Sequence, residues 1–393
     1  MSRIVYVWEY GGGLGHIGPF HAVASKLKER GHDVTLVVRD ISKVDRLYAG
    51  LGCDVLQAPT RTRRSNDLHP HPCCLAQVLR NVGFGDRDYL TNAYACWESI
   101  LRLTSPDVVV ADHAPGALLA LRQSGIPVVL FGLGFAHPPQ IHPLPPLVPC
   151  NNDEDAAASE VLLTGEVNQV LHGHGKRGLN HFGSLYDFSD HFLLSLAELD
   201  PYPQRTSGEY VGAWPLQVPN GGMVPWPPGV GPRIFAYLKK SKGLGHLFQH
   251  LLARGNPTVI VCDGMDIEPL QRLAGPHLRF VDRPLPIDAA LSDCDAAILN
   301  GGHAVTCATL LAGKPILQIP HNLEQFVTAQ KCEQVGASLA SHREDGPDIV
   351  SKLELILSDP NYGNAAQAFA SRYAQFQPQH SPQRIAERIH NLC

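Results

Sequence analysis

A chain of 393 residues is too long for one ordinary core, and 44% hydrophobic with 18% charged residues describes a folded protein, not a disordered one. A formal net charge of -5 argues against a general nucleic-acid binder. Two domains are the starting expectation.

Residues 3–8, Arg-Ile-Val-Tyr-Val-Trp, form an apolar run of strand length. The run is short and lacks a small-residue cleavage site, so it reads as a first strand and not as a signal peptide. It stops at three glycines. A helix follows, with Ile17, Phe20, Val23, Ala24 and Leu27 on one face. Lys26, Lys28 and Arg30 suit its negative end and Gly31 is placed to cap it. Further strands are expected at 33–38, 53–57, 107–111, 127–131 and 192–196. Two irregular stretches, 59–88 and 137–185, are rich in His, Pro and Gly. The spacing of His69, His71, His172 and His174 fits no strong metal-ligand pattern, which makes them solvent-facing loop residues. The uncharged stretch 123–152 is broken by prolines and glycines, so no membrane helix is expected there.

Residues 214–232 have the composition of a linker. A second series of strands follows at 233–238, 258–262, 278–281, 296–299, 315–319 and 338–340. The C-terminal segment reads as helix from about Asn364, with Pro378 and Pro382 breaking it. Strands alternating with helices mean parallel sheets covered on both faces. The expected organisation is α/β, with two Rossmann-like doubly wound parallel-sheet domains facing a cleft. These are a first domain over 1–213, a linker over 214–232, a second domain over 233–375, and a C-terminal helix over 376–393 free to pack back on the first. The 10 cysteines contain no C-x-x-C pair. They read as reduced, mostly buried thiols of a cytoplasmic protein.

Two motifs carry chemistry. Gly13-Leu-Gly15-His16-Ile17-Gly18 satisfies the dinucleotide fingerprint, and Asp40 stands near the distance of a ribose contact. An NAD(P)-dependent oxidoreductase is therefore one reading. His16 in the middle of the loop and Pro19 just inside the helix oppose it. A histidine there can take a proton near neutral pH. In the second half, a strand runs into Asn300-Gly301-Gly302-His303-Ala304-Val305-Thr306 and then a helix. Glycines at a strand-to-helix turn expose backbone N–H groups toward an anion, and Thr306 can add a hydroxyl. The next strand ends in Pro320-His321-Asn322-Leu323-Glu324-Gln325, whose carboxylate and amide suit sugar hydroxyls beside a diphosphate.

On these residues the chain resembles the nucleotide-sugar glycosyltransferases of the GT-B fold, especially the UDP-glycosyltransferase-like branch that glycosylates antibiotics and other natural products. The landmarks are Gly15-His16-Ile17-Gly18-Pro19, then Pro106-Asp107 through Asp112 with Gly125-Ile126-Pro127, then Gly301-Gly302 with Ala312-Gly313-Lys314-Pro315, then Glu324-Gln325 with Gly336-Ala337. The resemblance implies His16 as general base and Asp112 as its partner. Gly13 and Gly15 belong to the acceptor-side loop, and Glu324 and Gln325 grip donor-sugar hydroxyls. It places a nucleotide diphosphate sugar against Asn300, Gly301, Gly302, His303, Ala304, Val305 and Thr306. The family's tryptophan-led segment that stacks the base is not evident, and Asp282-Arg283-Pro284-Leu285-Pro286 occupies its place, so base contact there would come largely from backbone. Asn300 stands where the family usually has a histidine, a hydroxyl residue is common at Val305, and a ribose-binding glutamate is common near Ala308. Lys239, Lys240 and Lys242 can supply charge missing at Asn300.

Asp293-Cys294-Asp295 looks like a metal-binding D-x-D of another architecture, but it precedes its strand and so lies at the wrong sheet edge. The expectation is an inverting, metal-independent, cytoplasmic glycosyltransferase. It would use a UDP- or dTDP-sugar and a small-molecule acceptor, with no cofactor and no nucleic-acid or integral-membrane partner. A catalytically silent helper subunit and a nucleotide-sugar epimerase are further rivals. The epimerase needs a carboxylate-rich centre not found here.

Overall fold

The computed structural model describes residues 1–61, 68–150, 153–214, 222–341 and 345–393. The chain forms two compact units: Met1–Ser195 with Pro201–Gly212 and Pro378–Cys393, and Leu196–Asp200 with Ala213–Gln377.

The first unit runs β1 (Arg3–Trp8), α1 (Ile17–Glu29), β2 (Asp33–Val38), α2 (Val44–Tyr48), β3 (Asp54–Gln57), α3 (Leu75–Leu79), α4 (Arg87–Thr104), β4 (Val108–Asp112), α5 (Pro115–Leu121), β5 (Val128–Gly132), α6 (Asp153–Gly173), β6 (Asp190–Leu193) and β7 (Glu209–Tyr210). Its strands lie in the order β3-β2-β1-β4-β5-β6-β7 and pair in parallel. Ile4 to Trp8 and all of β4 are buried, as expected of strands covered on both faces. The order reverses between β1 and β4, where Trp8 stands opposite Asp112. Ligands of doubly wound sheets bind at the carboxyl end of such a switch point.

The second unit repeats the plan with β8 (Ile234–Lys239), α7 (Leu244–Arg254), β9 (Thr258–Asp263), α8 (Ile267–Leu273), β10 (Leu278–Val281), α9 (Ile287–Asp293), β11 (Ala296–Leu299), α10 (His303–Leu311), β12 (Ile316–Gln318), α11 (Leu323–Gln334), β13 (Ser338–Ala340), α12 (Gly346–Ser358) and α13 (Pro360–Arg372). The parallel order is β10-β9-β8-β11-β12-β13, so its switch point lies between β8 and β11. The last helix, α14 (Ser381–His390), belongs to the first unit. Ile385, Ala386 and Ile389 are its buried face, Arg388 pairs with Asp190, and Arg30 reaches Glu387 at 3.0 Å.

Several expectations are corrected. The strand expected at 192–196 is β6, two residues earlier, and the short edge strand β7 was not anticipated. The stretch 137–185 is not wholly irregular, because it contains α6. Small or polar residues such as Ala156, Ser159 and Glu160 fill part of its buried face, while Val161 and Leu162 are exposed, so the apolar period is weak. The stretch 59–88 contains α3, a π-helical turn and the start of α4. The helix expected from Asn364 begins at Pro360, whose missing N–H is tolerated in a first turn capped by Asp359. Of the expected linker, 215–221 lies outside the described residues, while Met223, Val224 and Trp226 pack on the second unit's core. Cys73 and Cys150, 77 residues apart, form a disulfide. The Leu147 N–H donates to the Cys73 carbonyl at 2.8 Å and brings that loop alongside. Five of the eight free cysteines are buried, but a reducing compartment no longer follows from unpaired thiols.

Candidate active site

In the first unit, β1 and β4 deliver their carboxyl ends side by side, and the loop after β1 returns His16 to that edge. The His16 Nδ1 lies 3.0 Å from Asp112 Oδ1 and 3.0 Å from Oδ2. A carboxylate only accepts, so Nδ1 carries the proton and Nε2 presents a lone pair. Tyr6 Oη donates to Asp112 Oδ2 at 3.0 Å, and the imidazole stacks on Trp8 with ring centres 5.0 Å apart. Both members of the pair are buried, His16 to 7% exposure and Asp112 to 1%.

Neither residue is occupied in capping a helix. His16 precedes α1 but its side chain makes no cap. The α5 terminus is served instead by Glu9, whose Oε2 accepts the Gly116 N–H at 2.7 Å. Burial raises the Glu9 carboxyl to about 7. Asp112 is thus left to the imidazole and the Tyr6 hydroxyl.

The backbone was shaped for this pair. Gly11 has φ +92°, and a Cβ built there would sit 2.3 Å from His16 Nε2. A Cβ at Gly132 would sit 2.6 Å from Asp112 Oδ1. Gly13 and Gly15, singled out from the sequence, have open space around that position instead. Beside His16, with ring centres 6.1 Å apart, stands His113. Its backbone N–H donates to His137 Nε2 at 3.3 Å, and both its ring nitrogens are buried without a partner. Desolvation lowers His113 to about 3, lowers His191 to about 3 and lowers His137 as well. These rings are neutral, each offering one donor and one acceptor.

In the second unit, β11 ends at Leu299 and the turn Asn300-Gly301-Gly302 opens α10. Asn300 Oδ1 accepts the Gly302 N–H at 3.3 Å. Gly301 has φ +75°, and a Cβ there would approach the Gln325 carbonyl oxygen to 2.9 Å. The turn therefore lies directly against the first residues of α11. Gly302 offers α10 no side-chain cap, so the first N–H groups, those of His303, Ala304 and Val305, project from the helix end. His303 Nδ1 meets Thr328 Oγ1 at 3.2 Å, and burial lowers that imidazole to about 4.

Residues 250–392 match the erythromycin biosynthesis protein CIII-like C-terminal domain. The chain is 26% identical over 354 residues to a PGL/p-HBAD biosynthesis glycosyltransferase of Mycobacterium tuberculosis, covering 83% of this chain and 81% of the relative. It superposes on the glycosyltransferase SnogD from Streptomyces nogalater with a TM-score of 0.61 at 20% identity, over 98% of this chain and 99% of that one. It likewise superposes on the glycosyltransferase SsfS6 of Streptomyces sp. SF2575, complexed with thymidine diphosphate, with a TM-score of 0.61 at 17% identity, over 98% and 100% of the two chains. The chain has the GT-B fold of these glycosyltransferases.

Not every residue that the resemblance assigned stands at the sheet edges ready for a ligand. Thr306 is fully buried with its hydroxyl unpartnered inside the fold, and Val305 packs into the apolar core. Lys239 forms an exposed ion pair with Asp263 at 3.5 Å, and Arg283 donates to the Gly222 carbonyl at 3.0 Å. Gln325 Oε1 accepts the His321 N–H at 2.9 Å, and Asn322 Oδ1 caps α11 by accepting the Gln325 N–H at 3.0 Å. Glu324 lies in the first turn of the same helix, part-exposed. Asp40 Oδ1 accepts the Ser42 N–H at 3.0 Å and closes a local turn. Sequence reading missed Tyr6, Gly11, His113 and Gly132. Of these only His113 carried a signal, as a titratable residue next to Asp112 at a strand end. Among the described residues no helix is long and apolar enough to cross a membrane.

Proposed function

We propose that this chain is a glycosyltransferase that inverts the anomeric centre, with His16 as general base and Asp112 as the group that orients it. The acceptor hydroxyl gives its proton to His16 Nε2 as its oxygen bonds to the anomeric carbon. The bond from that carbon to the nucleoside diphosphate breaks, and the diphosphate leaves with the electron pair. Asp112 stabilises the imidazolium that forms. The observation that carries this reading is the contact of Nδ1 with both Asp112 oxygens at 3.0 Å, which fixes the tautomer with the proton on Nδ1 and the basic nitrogen at Nε2.

The donor diphosphate is assigned to the Gly301–Gly302 turn and the N-terminus of α10, where oriented N–H groups stabilise the departing charge. Glu324 and Gln325 are assigned to the donor sugar. A thymidine or uridine diphosphate sugar is the donor class, supported by the SsfS6 complex with thymidine diphosphate. A small natural product is the acceptor class, with the neutral ring of His113 supplying hydrogen bonds to it, since both its buried nitrogens otherwise lack partners. Transfer is assigned no metal. Asp295, of the D-x-D sequence, accepts the Arg233 N–H at 2.8 Å at the amino end of β11, away from the sheet edge where the donor turn lies.

The oxidoreductase reading is disfavoured because the fingerprint does not follow β1 directly. Glu9–Gly12 intervene before Gly13, and Asp40 is engaged by Ser42. Thermal unfolding with UDP, TDP, GDP, NAD and NADP tests the assignment. A ligand at one hundred times its dissociation constant stabilises by about 2.7 kcal/mol. A shift with one nucleoside diphosphate alone is expected. A shift with NAD(P) alone would overturn the donor assignment, and no shift with any of them would favour a silent subunit.

A further inference from the structure

Within the first unit, three side chains from separate parts of the chain converge. His142 comes from the loop before α6, Glu160 from α6 and His181 from the loop after it. One ligand-type atom from each lies within 4.8 Å of the other two. The two imidazoles stack with ring centres 5.4 Å apart. Glu160 is 1% exposed, whereas the His142 side chain is 49% exposed.

The surroundings of Glu160 set the problem. Its Oε2 accepts the Leu144 N–H at 2.7 Å and its Oε1 lies 3.3 Å from His142 Nδ1. Among the described residues no lysine or arginine forms an ion pair with it. A buried carboxylate needs a counter-charge, and buried charges are generally paired or bound to metal. The His181 Nδ1 is also buried without a hydrogen-bond partner.

We propose that His142, Glu160 and His181 bind one divalent zinc-class cation. Two imidazoles and one carboxylate are a favoured Zn²⁺ ligand set, with a water completing four-coordination. Metal–ligand bonds of about 2.0–2.1 Å place ligand atoms about 3.4 Å apart in a tetrahedron, so the three groups close on the ion by small side-chain shifts. The Leu144 N–H holds the carboxylate as an outer partner does, and the exposed His142 ring provides the way in. The ion ties the loop carrying His142 and the turn carrying His181 to α6. It plays no part in the transfer step.

The test uses the full-length protein stripped with EDTA and titrated with Zn²⁺ against a chromophoric chelator, followed by thermal unfolding with and without Zn²⁺. Wild type is expected to bind one equivalent with a Zn²⁺-dependent rise in unfolding temperature. His142→Ala, at a half-exposed position, is expected to fold normally without metal and to bind Zn²⁺ at least tenfold more weakly, as is His181→Ala. The remaining histidines give wild type and variants the same background. Less than one equivalent bound to wild type, or wild-type affinity in His142→Ala, would overturn the proposal.

Discussion

Replacing Gly11 by alanine tests how the imidazole is held. The new Cβ would lie 2.3 Å from His16 Nε2 and 3.0 Å from Cε1, well inside van der Waals contact. The ring has no easy retreat, since Nδ1 is bound to both Asp112 oxygens at 3.0 Å and one face stacks on Trp8. The φ of +92° adds a left-handed penalty of about 1–2 kcal/mol for any L side chain. Gly13 provides the control, because its φ of +82° carries the same backbone penalty while its Cβ position has nothing within 4 Å. Comparing the two isolates the clash with Nε2. The assay is acceptor-dependent release of nucleoside diphosphate, with unfolding temperature measured in parallel. Both variants should lose a few degrees of stability. Gly11→Ala should also lose most of the general-base contribution, about 10²–10⁴-fold in rate, while Gly13→Ala keeps a rate near wild type. Equal losses in the two variants would refute the reasoning.

Tyr6→Phe removes the phenol that donates to Asp112 at 3.0 Å, so it should lower stability by about 1.5–3 kcal/mol in chemical denaturation, and turnover should fall with it. Gly301→Ala drives a Cβ to 2.9 Å from the Gln325 carbonyl, so the nucleoside diphosphate dissociation constant should rise with little effect on acceptor KM. Stability should fall on acidification. The native His113 and His191 have pKa values lowered to about 3, so below about 6.5 the unfolded chain takes protons that the native state does not. Each costs about 2 kcal/mol between pH 7 and pH 5. Glu9, raised to about 7, has the opposite sign and offsets about 2 kcal/mol over the same range. Denaturant unfolding at the two pH values should therefore show a net loss, and His191→Gln should reduce it.

Much of the fold was legible because buried parallel strands leave continuous apolar runs, and β1, β2, β10, β11 and β13 begin and end where those runs do. The neighbourhood of His16 and Asp112 was legible for the same reason. One follows β1, the other ends β4, and a doubly wound sheet places those two ends together. What was not legible depends on side-chain trajectories. Gly11 matters because of where Nε2 comes to rest, which no spacing reveals, so the sequence pointed to Gly13 and Gly15 instead. Helix α6 escaped because its buried face includes Ser159 and Glu160 while Val161 and Leu162 face solvent. The Cys73–Cys150 pair escaped because its 77-residue separation carries no motif. Thr306 looked available for a phosphate because the spacing fits, yet helical phase turns it into the core.

The measurement that bears most directly on His16 as the base is single-turnover transfer by wild type, His16→Ala and Asp112→Asn, with nucleoside diphosphate affinity measured on the same samples. Transfer should fall about 10²–10⁴-fold in His16→Ala, with the nucleotide dissociation constant unchanged. Asp112→Asn should also be impaired through loss of the Nδ1–H tautomer. Full transfer activity in folded His16→Ala would contradict the assignment.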